Sequence, residues 1–220
     1  MNRFLKRNAG KRALILLAAF VLLTVLVKIV DVRAIGPQDT KVGFAALNGA
    51  FHNLTGVHEG LYKVTELLGY LAILIAVFFA ALGAMQLLQR KSLRAVDSDL
   101  FVLGGLYAAT VAAYVFFEVV IINYRPVILE TEPEASFPSS HTVMALVILG
   151  SAVYEFGARV RDRKLRNILQ YACVILAAAI VLGRLFSGVH WLTDILGGML
   201  LGAALVSGFV YAVRKIKRNH

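Results

Sequence analysis

The sequence predicts an all-α integral membrane protein with six transmembrane helices, and three observations support this fold class. Of the 220 residues, 59% are apolar and the mean hydropathy is +0.75, which is too apolar for a soluble domain of this length. The apolar residues occur in six long runs, each about long enough for a helix to cross the hydrocarbon core of a bilayer. Basic residues cluster between these runs, as membrane topology requires.

The six predicted spans follow one another without an internal repeat or a long linker, so we expect a single domain over residues 1–220. The first run follows a basic amino terminus, as in a signal peptide. It is long enough to span a bilayer and no small-x-small cleavage site closely follows it, so we interpret it as a retained first span. The predicted spans cover residues 13–30, 67–89, 100–122, 142–158, 168–187 and 190–213.

The segment between the first two spans, residues 31–66, is longer than a simple connection. Its apolar residues keep an approximate helical spacing, with Gly56 and Gly60 as the expected interruptions. We therefore expect an amphipathic helix lying at the membrane surface. We interpret His52 and His58 as interfacial polar residues rather than as catalytic or metal-binding residues. The apolar positions are Leu47, Phe51, Leu54, Leu61, Val64 and Leu68.

The positions of the basic residues predict the orientation in the membrane. With six spans, 17 of the 23 Lys and Arg residues lie on one side. They precede the first span, follow the second, separate the fourth from the fifth and follow the sixth. The positive-inside rule makes this side cytoplasmic, so we expect both termini in the cytoplasm of a bacterial cell, with the protein in the plasma membrane. The loops at 31–66, 123–141 and 184–190 then face outward.

Composition argues against two other classes of function. The formal net charge of +10 would suit a nucleic-acid-binding protein, but the basic residues occur in short clusters between apolar runs, so we expect no nucleic-acid partner. Cys173 is the only cysteine, so neither an intrachain disulfide nor a thiolate metal site can form. We interpret Cys173 as a small buried apolar side chain.

Charged residues near the start of the last apolar run point to a functional site, because an intramembrane charge costs about 3 kcal/mol and usually faces a cavity. His190 and Asp194 are four residues apart and would share a helix face if the sixth span begins near Gly188. The aspartate would then orient the imidazole and leave its opposite nitrogen free to attack. Arg184 would bind phosphate oxygens. A structural Arg–Asp pair beside a hydrogen-bonded histidine explains the same residues about equally well.

Residues 138–142 mark the start of the fourth span. A proline and two serines before an apolar run are typical of a helix N-terminus, and a capped helix is the simplest explanation. The same arrangement suits catalysis, because free N–H groups at a helix start bind anions and His141 would be placed to protonate a leaving oxygen. Arg125 at the outer end of the third span indicates little alone, since arginines there often extend to the interface.

Together these residues resemble the three signature motifs of the type 2 phosphatidic acid phosphatases, the lipid phosphate phosphatase superfamily. The resemblance implies that phosphoryl oxygens are bound by Arg125, Arg184, Ser139 and Ser140 together with backbone amides, without a metal or another cofactor. Ser140 stands where the motif most often has glycine. The matching motifs are Arg125-Pro126, Pro138-Ser139-Ser140-His141 and Arg184-x5-His190-x3-Asp194.

The resemblance also implies the catalytic roles. His190 would be the nucleophile that forms a phosphohistidine, Asp194 would orient it, and His141 would protonate the leaving group. Two positions depart from the pattern. Gly183 replaces a serine of the third motif, and Glu118 replaces the lysine that starts the first motif. We expect Glu118 to share a helix face with Arg125 and to tune or pair with that arginine rather than to contact phosphate. The alternative is that Glu118 marks a site for a cationic or metal-bridged substrate.

We therefore expect a membrane phosphatase that acts on a lipid phosphomonoester or diphosphate at the outer leaflet. The candidate substrates are a polyprenyl diphosphate such as undecaprenyl diphosphate, phosphatidic acid and phosphatidylglycerophosphate. One alternative is a phosphotransferase that passes the phosphohistidine group to a lipid acceptor. Another is a non-catalytic lipid-binding or transport protein. The glutamate at position 118 favours this last alternative, and the presence of every nucleophile, acid and orienting residue disfavours it.

Overall fold

The structure of the protein, a computed structural model, describes residues 8–219, so Arg3, Lys6 and Arg7 of the amino-terminal basic cluster lie outside the described residues. Six of the helices in this range are long and apolar enough to cross a membrane, which confirms the predicted all-α class. A seventh, short helix is the second in chain order. The helices are α1 (Ala9–Ile29), α2 (Ala45–Thr55), α3 (Glu59–Arg90), α4 (Ser98–Val119), α5 (Ser140–Arg159), α6 (Arg163–Phe186) and α7 (Leu192–Asn219).

The segment between α1 and α3 has structure of its own. Two-residue strands β1 (Arg33–Ala34) and β2 (Lys41–Val42) pair antiparallel around a 3₁₀ turn at Pro37–Asp39. Helix α2 follows where the amphipathic helix was predicted, and it packs against α7. Only one of the two expected interruptions occurs. The chain breaks at Gly56, which has φ +69°, whereas Gly60 lies within the first turn of α3.

Two helix boundaries differ from the prediction in a way that matters for the site. Helix α4 ends at Val119, so Arg125 lies in the loop beyond it and shares no helix face with Glu118. Helix α7 begins at Leu192, so His190 lies in the turn before this helix. The expected common helix face of His190 and Asp194 is therefore wrong. Apolar runs show where a membrane helix lies, but they do not show at which residue the helix ends and the loop begins.

Helices α5 and α7 form the centre of the bundle. Half of the residues in the apolar stretch of each are buried, against 11% in α1 and α3. Helix α1 packs along α7, α6 packs along α5, and α3 and α4 cover the remaining sides. Leucine and valine side chains of the outer helices are largely exposed, as at Leu14 and Leu74. An outward apolar surface is what a lipid-facing helix presents, so the layout fits a multi-pass membrane protein.

An ionic network ties four helices together at the end of the bundle where the basic clusters meet. The Arg159 guanidinium lies 3.0 Å from Asp97 Oδ2 and 2.6 Å from Asp99 Oδ1. Its Nε lies 2.9 Å from Glu155 Oε2, and the Glu155 side chain is fully buried. Lys217 near the end of α7 reaches Asp99 at 2.8 Å, and Arg90 at the end of α3 reaches Asp97 at 3.0 Å. This end of the bundle is held by compensated charges.

We expect Arg159→Met to lower the free energy of unfolding by about 3 kcal/mol, because it leaves the buried carboxylate of Glu155 without its counter-charge. Thermal unfolding of the purified protein in detergent measures the effect. Arg161→Met changes an exposed arginine two residues away and serves as the matched control, with an expected change near zero. Equal unfolding temperatures for the two variants would contradict the assignment of Arg159 as the central cation.

The end of the bundle opposite Arg159 should face the outside of the cell. In a Cys173→Ser background, we expect a membrane-impermeant maleimide added to intact cells to label Glu132→Cys, an exposed loop position. Arg161→Cys should react only after the membrane is opened, because it lies among the basic residues of the α5–α6 connection. Labelling of position 161 but not 132 in intact cells would reverse the orientation.

Candidate active site

Four segments converge at the end of the bundle opposite the Arg159 network. They are the loop after α4, the first turn of α5, the end of α6 and the turn before α7. Each carries one residue that the sequence singled out: Arg125, His141, Arg184 and His190 respectively. The charges of the two arginines act on both histidines, so the four side chains form one electrostatic cluster.

His190 is buried in a turn whose path depends on a glycine. Gly188 has φ +74°, and a Cβ there would lie 2.1 Å from the Gly56 carbonyl oxygen, so no side chain fits. His190 Nε2 lies 3.3 Å from Arg125 Nη1. A guanidinium can only donate, so Nε2 carries a lone pair in this contact. Burial, and then the charges of Arg125 and Arg184, hold the pKa of His190 well below its ordinary value, so the imidazole is neutral at neutral pH.

Asp194 supports the His190 turn mainly through the backbone. Its Oδ2 lies 3.7 Å from His190 Nδ1, which is longer than a hydrogen bond. The same oxygen accepts a hydrogen bond from the Trp191 backbone N–H at 2.9 Å. Because α7 begins at Leu192, Asp194 lies in the first turn and reaches back to the residue before the helix, as the acidic member of a capping box does. The carboxylate therefore holds the turn and stays close to the ring.

Arg184 is fully buried at the end of α6, and none of its three guanidinium nitrogens has a hydrogen-bond partner among residues 8–219. The Tyr62 ring of α3 lies against it, with the guanidinium carbon 4.6 Å from the ring centroid. A cation–π contact stabilises the charge but leaves its donors unused. Buried donors without acceptors are costly, and an oxyanion would supply the acceptors. Sequence reasoning missed Tyr62, because only the packing of α3 brings it to the site.

Arg125 is held by its own loop. Its Nε lies 2.9 Å from Glu134 Oε2. The two groups form an ion pair but are not aligned as a hydrogen bond. The Arg125 backbone N–H donates to the Glu134 carbonyl oxygen at 3.0 Å. An isolated bridge between Tyr124 and Ala135 closes the same loop. The carboxylate partner of Arg125 is therefore Glu134. Glu118, which we expected beside Arg125, is exposed in the last turn of α4.

The polar residues at the start of α5 have two kinds of contact: some connect α5 to another helix, and others lie at the candidate site. The Ser139 backbone N–H donates to the Asp194 carbonyl oxygen at 3.0 Å, and its hydroxyl accepts from Thr142 Oγ1 at 3.1 Å. Ser139 thus fastens α5 to the first turn of α7. Ser140 is partly exposed in a groove that also reaches His190. His141 Nδ1 is buried and has no hydrogen-bond partner within the described part of the chain.

Two grooves lead from the histidines along the two sides of α5. One lies between α4 and α5 and is lined by His190 and Glu118 among mostly apolar residues. The other lies between α3 and α5 and is lined by His141 and Glu66. Met144 of α5 lines both grooves and separates them. The polar cluster is therefore continuous with apolar surface on the lipid-facing side of the bundle.

The other two histidines considered in the sequence lie apart from the arginine–histidine cluster. The His52 ring packs against Trp191, with the ring centroids 5.4 Å apart. His58 is exposed, and its Nε2 lies 2.8 Å from the Thr55 carbonyl oxygen. Among residues 8–219, no three His, Cys, Asp or Glu side chains are grouped so that they could hold a metal ion.

Known proteins resemble this chain in both sequence and fold. A family model described as the PAP2 superfamily matches residues 74–218, a range that contains all three motifs. The fold is similar to the crystal structure of the first transmembrane PAP2 type phosphatidylglycerolphosphate phosphatase from Bacillus subtilis. The TM-score is 0.64 and the identity is 19%, over 94% of this chain and 96% of that one. No curated protein matches the sequence significantly. Since the family model spans more than half of the sequence, the chain belongs to the PAP2 superfamily.

Proposed function

We propose that the protein is a lipid phosphate phosphatase that works through a phosphohistidine on His190. One observation carries the proposal: the lone pair of His190 Nε2 lies 3.3 Å from the Arg125 guanidinium, in a cluster with the buried donors of Arg184. A phosphoryl group bound by both guanidinium groups would be presented to a neutral nucleophilic nitrogen. Preorganised donors of this kind stabilise the charge that develops during phosphoryl transfer.

The first half of the reaction transfers the phosphoryl group to the enzyme. His190 Nε2 attacks phosphorus, a P–N bond forms and the P–O bond to the leaving group breaks. His141 gives its proton to the departing oxygen, which leaves as an alcohol or a phosphate. Asp194, 3.7 Å from His190 Nδ1, stabilises the positive charge that the ring acquires.

The second half returns the enzyme to its starting state. Water attacks phosphorus and the P–N bond breaks, while His141 takes up the proton that the water loses. Inorganic phosphate leaves and the His190 imidazole is neutral again. The arginine and imidazole side chains supply the positive charge and the acid–base groups for both steps, so we propose that turnover needs no metal ion.

The surroundings of the cluster support a lipid as the leaving group. The grooves on either side of Met144 are mostly apolar and are continuous with the lipid-facing surface. A prenyl or acyl chain in such a groove would remain in the membrane while its phosphate reached the histidines. We propose a polyprenyl diphosphate, phosphatidic acid or phosphatidylglycerophosphate as the substrate, taken from the outer leaflet of a bacterial plasma membrane. Phosphatidylglycerophosphate is the substrate class named for the similar Bacillus subtilis structure.

Two histidine variants test the proposed roles. We expect His190→Ala to lower kcat at least about 1,000-fold on every substrate, because no phosphoenzyme can form. His141→Ala should lower kcat about 100-fold or more on a lipid phosphate but much less on p-nitrophenyl phosphate, whose leaving group needs no proton. Phosphate release in detergent and acid-labile labelling of the enzyme measure both steps. Adding unlabelled acceptor lipids to the same assay would reveal any transfer.

His58→Ala is the matched control, because His58 is exposed and contacts only a nearby carbonyl oxygen among the described contacts of its ring. It should keep wild-type kcat. Turnover by His190→Ala close to that of the control would remove the nucleophile assignment. An equal loss on both kinds of leaving group in His141→Ala would remove the acid assignment.

We further propose that Glu118 tunes substrate recognition at the mouth of the α4–α5 groove, without a direct partnership with Arg125. Glu118→Gln should change KM within about fivefold and leave kcat nearly unchanged, because the residue is remote from bond making. Glu118→Lys should tighten inhibition by vanadate, since it replaces a carboxylate with a cation in the groove that leads to His190. Glu130→Gln, an exposed loop position, is the control. Loss of turnover in Glu118→Gln as severe as in His190→Ala would contradict the tuning role.

A further inference from the structure

Asn48 is a buried polar residue on α2, a helix at the outside of the bundle. Helix α2 lies on the outside of the bundle, and its buried residues are Ala45 and Asn48. Asn48 is 0% exposed, and its amide nitrogen donates to Thr193 Oγ1 at 3.0 Å and to the Gly43 carbonyl oxygen at 2.8 Å. Its oxygen accepts from the Thr193 backbone N–H at 3.2 Å. This N–H can only donate, so the orientation of the Asn48 amide is determined.

Asn48 accepts a hydrogen bond from an N–H at the start of α7 other than the one that Asp194 caps. Helix α7 begins at Leu192, so the N–H of Thr193 belongs to the first turn and has no acceptor within the helix. The residue before the helix is Trp191, and an indole has no acceptor to offer. Asn48 Oδ1 satisfies the Thr193 N–H from a different helix. The turn that carries His190 leads directly into the first turn of α7. Asn48 of α2 therefore holds the end of the His190 turn in place.

The same amide is linked to the loop that carries Arg125. The Gly43 carbonyl oxygen accepts from Asn48, and the Gly43 N–H donates to Asn123 Oδ1 at 3.2 Å. Asn123 is buried two residues before Arg125. A Cβ at Gly43 would lie 1.7 Å from a carbonyl oxygen of α1, so this backbone passes through a space that admits only glycine. One chain of hydrogen bonds thus joins the Arg125 loop to the His190 turn.

We propose that Asn48 is a positioning residue for catalysis: it sets the position of His190 Nε2 relative to the Arg125 guanidinium, now 3.3 Å away. This inference rests on the proposed phosphohistidine function. Phosphoryl transfer depends on the placement of the nucleophile, and a displacement of about 1 Å can cost about 100-fold in rate. Helix α2, which lies outside the residues matched by the family model, then belongs to the catalytic apparatus.

The test compares Asn48→Ala with Asn53→Ala, an exposed asparagine on the same helix. We expect Asn48→Ala to lower kcat at least 10-fold while KM changes less than kcat, and Asn53→Ala to match the wild type. Rates are expressed per active site, counted from the burst of phosphoenzyme, so that a loss of folded protein does not imitate the effect. Asn48→Asp keeps an acceptor for the Thr193 N–H and should recover part of the lost kcat.

A second arm examines the coupling between Asn48 and Thr193, and its hydrogen-exchange measurement does not depend on turnover. Thr193→Val should lower kcat, and adding it to Asn48→Ala should cost less than the product of the two single effects, because both remove one interaction. Hydrogen exchange of residues 188–196 should accelerate in Asn48→Ala and not in Asn53→Ala. If Asn48→Ala fails to fold, Asn48→Asp and Thr193→Val carry the comparison.

The outcomes separate the two proposals. A wild-type protein inactive on every lipid phosphate tested would overturn the proposed function, whereas the exchange measurement would still report whether Asn48 holds the turn. An active wild type with equal kcat per active site in Asn48→Ala and Asn53→Ala would overturn the positioning role. Independent effects of Asn48→Ala and Thr193→Val on kcat would also overturn it.

Discussion

The contact between Arg125 and Nε2 of His190 is the interaction around which the candidate site is arranged. It places a permanent cation against an imidazole in a buried site, so the ring remains neutral and its lone pair lies where an oxyanion would bind. The contact requires a neutral ring, because a protonated imidazole and a guanidinium would repel each other. The surrounding loops have to impose it. Glu134 holds Arg125 from one side, and the Gly188 turn presents His190 from the other.

Buried charges have partners of opposite charge at one end of the helix bundle and lack them in part at the other. At one end, Arg159 is surrounded by carboxylates from three directions, and Lys217 completes the balance. At the other end, Arg184 is buried against an aromatic face and its donors have no acceptors among the described residues. Paired charges stabilise the bundle at the first end, whereas at the second the guanidinium donors of Arg184 would suit an anion. The ionic network joins helices at one end, and two grooves that share Met144 lie along α5 toward the other.

Much of the site was predictable because its chemistry restricts which residues can occur. Arginines and histidines at the ends of apolar runs are costly, and here they occur in the order of the three motifs, so Arg125, His141, Arg184 and His190 could be singled out from the sequence. Tyr62 and Asn48 could not. A tyrosine at a helix start and an asparagine on an amphipathic helix are ordinary at a membrane surface, and nothing local marks them. They gain their roles only from the packing of α3 against α6 and of α2 against α7.

The sequence by itself determined the number of membrane helices, the places of the basic clusters between them and the set of residues that are candidates for binding a phosphate. These properties follow from hydrophobic length and from the cost of charge, which act residue by residue. Only the tertiary structure decided how the groups are paired: Arg125 with Glu134 rather than Glu118, and Asp194 with the Trp191 backbone rather than directly with the His190 ring. Pairing depends on where α4 ends and α7 begins, and the first turn of α7 is bonded by Asn48 from a segment that is distant in the sequence.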